Sequence, residues 1–330
     1  MKKPQVKRRD FLKAAVASSF LATPALVTRA FAQDSNWPKE RTIRWLIGLP
    51  PAGTTDPLTR AIAAQLSERL GQKIVIENKT GALQTIAARE VTGAPADGYT
   101  LLSIGGPQVY ADKSFPVIGR GLDPVIRMVT QPMIVAGISS RPTPDLKHVI
   151  AAAKEKPDEW SYATAGYGSS HHVAGELLNS LAGTKMLHVA YRGGGAAIQD
   201  AAAGHVPLIV IGTGPVIPHI AAGKMRGYAL TTAKRLASLP GVPTMQELGF
   251  TDFDLAQWHG VAIKAGTPRA ITERFNSEIR AILATPELAK LMDTLGAENG
   301  AGTPEDWRTY YNSDIAKYET LMQKLGIKIE

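Results

Sequence analysis

The chain reads as an α/β protein whose sheets are mostly parallel and covered by helices. Three observations carry that reading. Short apolar and β-branched runs alternate with amphipathic helical patterns almost throughout. The turns between them are rich in glycine and small hydroxyl residues. No low-complexity stretch, fixed-period repeat or Pro/Gly/Ser linker interrupts the alternation. Strands that alternate with helices this way pair in parallel, with the helices as crossovers.

The elements follow in order. Residues 42–47 form a strand. From Pro57 a helix runs with Leu58, Ala61, Ile62, Leu66 and Leu70 on one face and Gly71 as its stop. Thr55 or Asp56 is its expected N-cap, with Pro57 at the first helical position. Residues 73–77 are a strand, followed by a loop to Ala82 and a helix to about Thr92. Residues 99–104 form a strand ending at Gly105-Gly106. Residues 125–138 are strand-rich, with a break expected near Gln131-Pro132. Next come a helix at 146–154, a strand at 161–163, a helix at 171–181 and a strand at 186–190. A helix at 195–203, a strand at 206–211, a short helix at 215–222 and a strand at 226–231 continue the pattern. A helical turn at 244–248 and a strand at 260–263 lead to three closing helices, at 269–284, 286–295 and 304–325.

Residues 1–32 carry an expected export signal. Lys7-Arg8-Arg9-Asp10-Phe11-Leu12-Lys13 is a paired-arginine region, an Ala/Ser-rich apolar stretch follows, and Ala30-Phe31-Ala32 offers a cleavage site before Gln33. The paired arginines resemble a twin-arginine address, and a Sec-type signal is the alternative. Either route leads to the periplasm. The apolar stretch is shorter than a membrane span requires, and no later segment is long and apolar enough either, so no membrane insertion of the mature chain is expected. Of the formal charge of +8, the segment 1–32 holds +6, leaving +2 on the mature chain. That gives no basis for nucleic-acid binding. There is no cysteine, hence no disulfide, thiolate metal site or cysteine nucleophile.

Three loops carry the chemistry. Gly48-Leu49-Pro50-Pro51-Ala52-Gly53-Thr54-Thr55-Asp56 delivers small residues, hydroxyls and free N–H groups to a helix N-terminus, which favours an anion. Thr164-Ala165-Gly166-Tyr167-Gly168-Ser169-Ser170 repeats the logic, with Ser169 or Ser170 as the cap. Tyr191-Arg192-Gly193-Gly194-Gly195 opens a third helix, and Arg192 is able to pair with a carboxylate or to remain a solvated loop residue. Ser169, Ser170, His171 and His172 raise a hydrolase reading, but sequence neighbours do not make a nucleophile–base pair and no G-x-S-x-G elbow is present. The histidines lack metal-ligand spacing, and no metal or cofactor is expected. Trp45, Trp160 and Trp307 are assigned to packing, and Trp258 to a cleft wall.

These loops, in this order, resemble the extracytoplasmic solute receptors of the tripartite tricarboxylate transporter family. The markers include residues 50–56, Leu70-Gly71-Gln72, Val75-Ile76-Glu77-Asn78, Ala96-Asp97-Gly98-Tyr99-Thr100-Leu101, Ser169-Ser170, His188-Val189-Ala190-Tyr191-Arg192-Gly193, Pro218-His219-Ile220-Ala221-Ala222-Gly223-Lys224, Leu239-Pro240-Gly241-Val242-Pro243-Thr244 and Ala265-Gly266-Thr267-Pro268. The resemblance implies a two-domain periplasmic binding protein with two strand crossovers, residues 33–132 and 228–330 forming one domain and 133–227 the other. It implies a monomeric, non-enzymatic receptor that traps a small carboxylate in the interdomain cleft and passes it to membrane permease subunits. A ligand sensor feeding a signalling partner is the alternative.

The expected ligand-binding residues are Pro51, Ala52, Gly53, Thr54, Thr55 and Asp56 from the first loop. Thr164, Gly166, Ser169 and Ser170 come from the second. Gly106, Tyr191, Gly212, Thr213, Gly214 and Trp258 border them. Three departures from the family pattern shape the ligand: Leu83-Gln84 in a glycine-rich stretch, Pro207 and Ile211 where relatives often carry aspartates, and a short segment at 105–121. Loss of the second acid argues against an α-amino acid and for an aliphatic or aromatic acid.

Overall fold

The computed structural model describes residues 36–51, 53–107 and 114–328. The expected export signal, Ala52 and part of the 105–121 segment lie outside them. All elements below belong to Arg41–Glu330.

Strand β1 (Ile43–Ile47) pairs in parallel with β2 (Ile74–Asn78) and β3 (Thr100–Gly105). Helices α1 (Thr55–Leu70) and α2 (Thr85–Gly93) make the two crossovers. β1 is covered on both faces, so Ile43, Trp45, Leu46 and Ile47 are fully buried. α1 buries Leu58, Ile62, Leu66 and Leu70, and Gly71 ends it in the left-handed region at φ 61°. The helix starts earlier than expected, with Thr54 as N-cap. Pro57 then sits in the first turn, where a missing N–H leaves no intrahelical bond unmade.

The break expected near Pro132 does not occur. Strand β5 runs unbroken over Gly121–Ile138. Its first part pairs antiparallel with β10 (Ala256–Lys264), as far as Pro132 opposite Ala256. From Met133 onward it pairs with β8 (Leu208–Gly212) and β9 (Met225–Leu230). Pro132 falls where the strand changes partners, so its absent N–H costs little in the ladder. β8 leads in parallel to β6 (Ser161–Thr164), and β6 to β7 (Leu187–Ala190). The sheet order is β2-β1-β3-β10-β5-β8-β6-β7, with β9 and the two-residue strands β4 (Val117–Ile118) and β11 (Glu298–Asn299) also on β5. The sheet is therefore mixed: parallel toward both ends, antiparallel around β5 and β10.

The chain passes between the halves twice, along β5 and between β9 and β10. Thr231 ties the two crossings together: its hydroxyl accepts from Met133 N–H at 2.9 Å and donates to Leu255 O at 2.6 Å. The second half carries α3 (Leu146–Glu155), α4 (Ser170–Ala182), α5 (Gly194–Ala203) and α6 (Ile217–Ala221). Helices α7 (Arg269–Leu283), α8 (Pro286–Thr294) and α9 (Pro304–Lys324) follow β10. α9 serves both cores. Trp307 and Tyr311 pack with Trp258, Leu46 and Leu102, while Tyr318 and Met322 pack with Trp160, Leu177 and Met133. A capping box fixes its start: Thr303 Oγ1 accepts from Asp306 N–H, and the Asp306 carboxylate accepts from Thr303 N–H.

Candidate functional site

A cavity of about 640 Å³ opens where the two crossings meet the loops after β1, β6 and β7. Its size is that of a small-molecule site. Three helix N-termini reach it: α1 through Gly53, Thr54 and Thr55, α4 through Gly168, Ser169 and Ser170, and α5 through Gly193, Gly194 and Gly195. Unmatched backbone N–H groups and the positive ends of three helix dipoles therefore converge on one space. Arg192 adds a side-chain cation: it is exposed and forms no ion pair or hydrogen bond with another described residue. No aspartate or glutamate occurs among the described lining residues.

Local chemistry sets each loop. Ser169 caps α4 by accepting from His172 N–H, and its hydroxyl donates to Gly166 O at 2.6 Å. His172 Nδ1 accepts from Gly168 N–H at 3.2 Å, so this ring braces the loop and is not a base on Ser169. Tyr191 borders the cavity while its hydroxyl donates to Asp200 at 2.7 Å. Gly193 adopts φ 116°, and a Cβ there would lie 2.9 Å from Pro50 Cγ. Only glycine allows the third loop to close on the first at this point.

The wall at Thr80–Gln84 is built by strain. Ala82, Leu83 and Gln84 all have positive φ, at 43°, 48° and 75°. Such backbone persists only where its surroundings hold it. Gln84 supplies the hold: its side-chain amide donates to Gly105 O at 2.7 Å and accepts from Gly105 N–H at 2.9 Å. The clamp presents Leu83, 44% exposed, to the cavity opposite Gly168. Replacing Gln84 with alanine removes both bonds, at a cost of about 2 kcal/mol in urea unfolding.

The structure brings most expected residues together. Pro51, Gly53, Thr54, Thr55, Gly106, Gly166, Ser169, Ser170, Tyr191 and Gly212 line the cavity. Ala52 lies outside the described residues. Five expected residues are not among the lining residues. Asp56 holds Arg60 at 3.0 Å and Asn78 at 2.9 Å. Thr164 Oγ1 meets His188 Nε2 at 2.7 Å. Thr213 donates to Gly296 O at 2.9 Å, and Gly214 packs between Leu295 and Thr54. Trp258 is fully buried in the opposite direction, against Trp307 and Tyr311, and its indole N–H donates to Asp314 at 2.9 Å.

Sequence reasoning missed Gln257, His259 and the cavity role of His171. Strand period was the available signal for two of them. Gln257 and His259 share a face of β10, and Trp258 between them must point the other way. His259 Nδ1 meets Thr55 Oγ1 at 2.7 Å, and His171 Nε2 meets Gln257 Oε1 at 2.8 Å. Burial pushes His171 down to about 4 and His259 down to about 3, the latter also through its neighbour His171. In the unfolded chain both titrate near 6.5, so below that pH the unfolded state binds more protons. Stability contributed by these rings is complete above about pH 6.5 and falls as pH drops toward 4. Melting temperatures measured from pH 7.5 to pH 4 are expected to decline across that window, and less so in His259→Gln.

The family model for the tripartite tricarboxylate transporter family receptor matches residues 58–327. The chain belongs to that family. A protein from the tcbD-tcbE intergenic region of Pseudomonas sp. (strain P51) is 33% identical over 93% of this chain and 92% of its own length. Among solved structures, an R. palustris protein with adipate superposes at TM-score 0.83, with 31% identity over 88% of this chain and 99% of that one. MatC from Rhodopseudomonas palustris with bound malate superposes at 0.77, with 27% identity over 86% and 99%. The receptor therefore has the two-domain periplasmic binding protein fold, and the family is one of solute-binding receptors. No described helix is long and apolar enough to cross a membrane.

Proposed function

We propose that this receptor captures a small organic carboxylate between its two domains in the periplasm and delivers it to membrane permease subunits of a tripartite transporter. The observation that carries the reading is the convergence of three helix N-termini and Arg192 on a cavity without an acidic side chain among its described lining residues. Such a space attracts an anion and holds it through charge-assisted hydrogen bonds. Similarity to proteins solved with adipate and with malate supports the same ligand class.

The ligand is an aliphatic or aromatic acid rather than an α-amino acid. Leu83 and Ile211 line the cavity, and there is no carboxylate among the described lining residues to meet an ammonium group. The domains comprise residues 33–132 with 228–330 and residues 133–227, the receptor acts as a monomer, and residues 1–32 direct export by the twin-arginine route. No catalytic step is assigned.

A thermal-shift screen of mono-, di- and aromatic carboxylates beside their primary amides tests the reading. Carboxylates are expected to raise Tm with concentration, because a ligand of the folded state stabilises it by RT ln(1 + [L]/Kd). Equal shifts from the uncharged amides would remove the carboxylate assignment.

A further inference from the structure

Two ring nitrogens on residues lining the cavity are buried and have no hydrogen-bond partner among the described residues, His171 Nδ1 and His259 Nε2. Buried polar atoms are almost always paired, so two orphans beside one cavity call for a partner. Their chemistry is fixed by a relay that starts at a backbone carbonyl. Gln131 donates its amide N–H to Leu295 O at 2.5 Å, an oxygen that only accepts. Gln131 Oε1 is therefore its inward atom, and it accepts from the Thr54 hydroxyl at 3.0 Å and from the Gln257 amide. Gln257 Oε1 then faces His171, and it too only accepts. His171 must carry its proton on Nε2. Its Nδ1 is a lone pair in want of a donor.

We propose that the buried side of this cavity selects acids that present a hydroxyl group, rather than a second carboxylate, to His171 Nδ1 and His259 Nε2. A carboxylate only accepts and would face the His171 lone pair unpaired. A hydroxyl donates to His171 Nδ1 and keeps its own lone pairs for His259. Its one proton being given to His171, it accepts from His259 in the tautomer that carries the proton on Nε2, in which Nδ1 accepts from the Thr55 hydroxyl. Burial holds both rings neutral at neutral pH, so neither offers a cation to a second carboxylate. The helix termini and Arg192 hold the first carboxylate, and to that extent the inference rests on the carboxylate reading.

Matched acids decide it: malate against succinate, 2-hydroxyglutarate against glutarate, and 3-hydroxybutyrate against butyrate, titrated calorimetrically into the mature protein. The hydroxylated member of at least one pair is expected to bind about tenfold to a hundredfold more tightly, the discrimination a buried hydrogen-bonding site exerts against an analogue lacking the group. In His171→Leu that ratio is expected to collapse to under about threefold. His259→Gln, which keeps a polar side chain, provides the second variant and is expected to reduce the ratio partially. Equal affinity within every pair, or a preference that survives His171→Leu in folded protein, overturns the hydroxyl inference and leaves the carboxylate reading standing. Absence of binding by all six acids and the aromatic panel overturns both.

Discussion

Replacing Gly195 with aspartate should weaken carboxylate binding about a hundredfold while leaving the fold as stable as before, or more so. Gly195 lies in the first turn of α5, on the cavity, and a Cβ there meets nothing within 4 Å. Asp at a helix N-terminus is favourable by about 0.3–1 kcal/mol, and glycine is a poor helix former. Stability and binding should therefore move in opposite directions. The new carboxylate occupies the field meant for the ligand. At a separation of about 5 Å and an effective dielectric of about 20, two like charges repel by about 3 kcal/mol. That is about a hundredfold loss of affinity. Gly195→Asn has nearly the same shape without the charge and should lose less than about tenfold. Calorimetric titration and thermal melts on both variants separate charge from bulk. Equal losses in the two would mean that the electrostatics of the helix termini are not what holds the ligand.

Replacing Trp258 with alanine should have the opposite signature. The indole is fully buried, packs edge-on against Trp307 and Tyr311 at 6.0 and 5.5 Å, and satisfies Asp314. Burial already raises the Asp314 carboxyl above its usual range, with the indole N–H partly offsetting it. Truncation leaves a cavity and deprives that acid of a donor. The expected cost is about 3–5 kcal/mol, or about 10 °C in Tm for a chain of this size. Trp258 does not line the cavity, so the variant that remains folded at 25 °C should still bind ligand. Lost binding with an unchanged Tm would return Trp258 to the cleft.

The contrast between those two residues shows what the sequence carries. Periodicity located the strands and helices that bracket each loop, because local patterns of period 2 and 3.6 are properties of neighbouring residues. The loops after β1, β6 and β7 were legible for the same reason: a strand, small residues and a helix start are contiguous. What was not legible is pairing between distant segments. The antiparallel run of β5 with β10 and the partner change at Pro132 depend on strands roughly 70 to 140 residues apart. Trp258 was misplaced because its neighbours could not say which side of β10 faced a core supplied by α9. The Gln84 clamp on Gly105 and the relay from Leu295 to His171 likewise join residues far apart in the chain.

The site itself is tested most directly by a crystal structure of the complex with whichever carboxylate gives the largest thermal shift. Carboxylate oxygens are expected within about 3 Å of backbone N–H groups at the starts of α1, α4 and α5, with Arg192 turned toward the anion. A ligand bound with its carboxylate away from all three helix starts, or in another cavity, would contradict it.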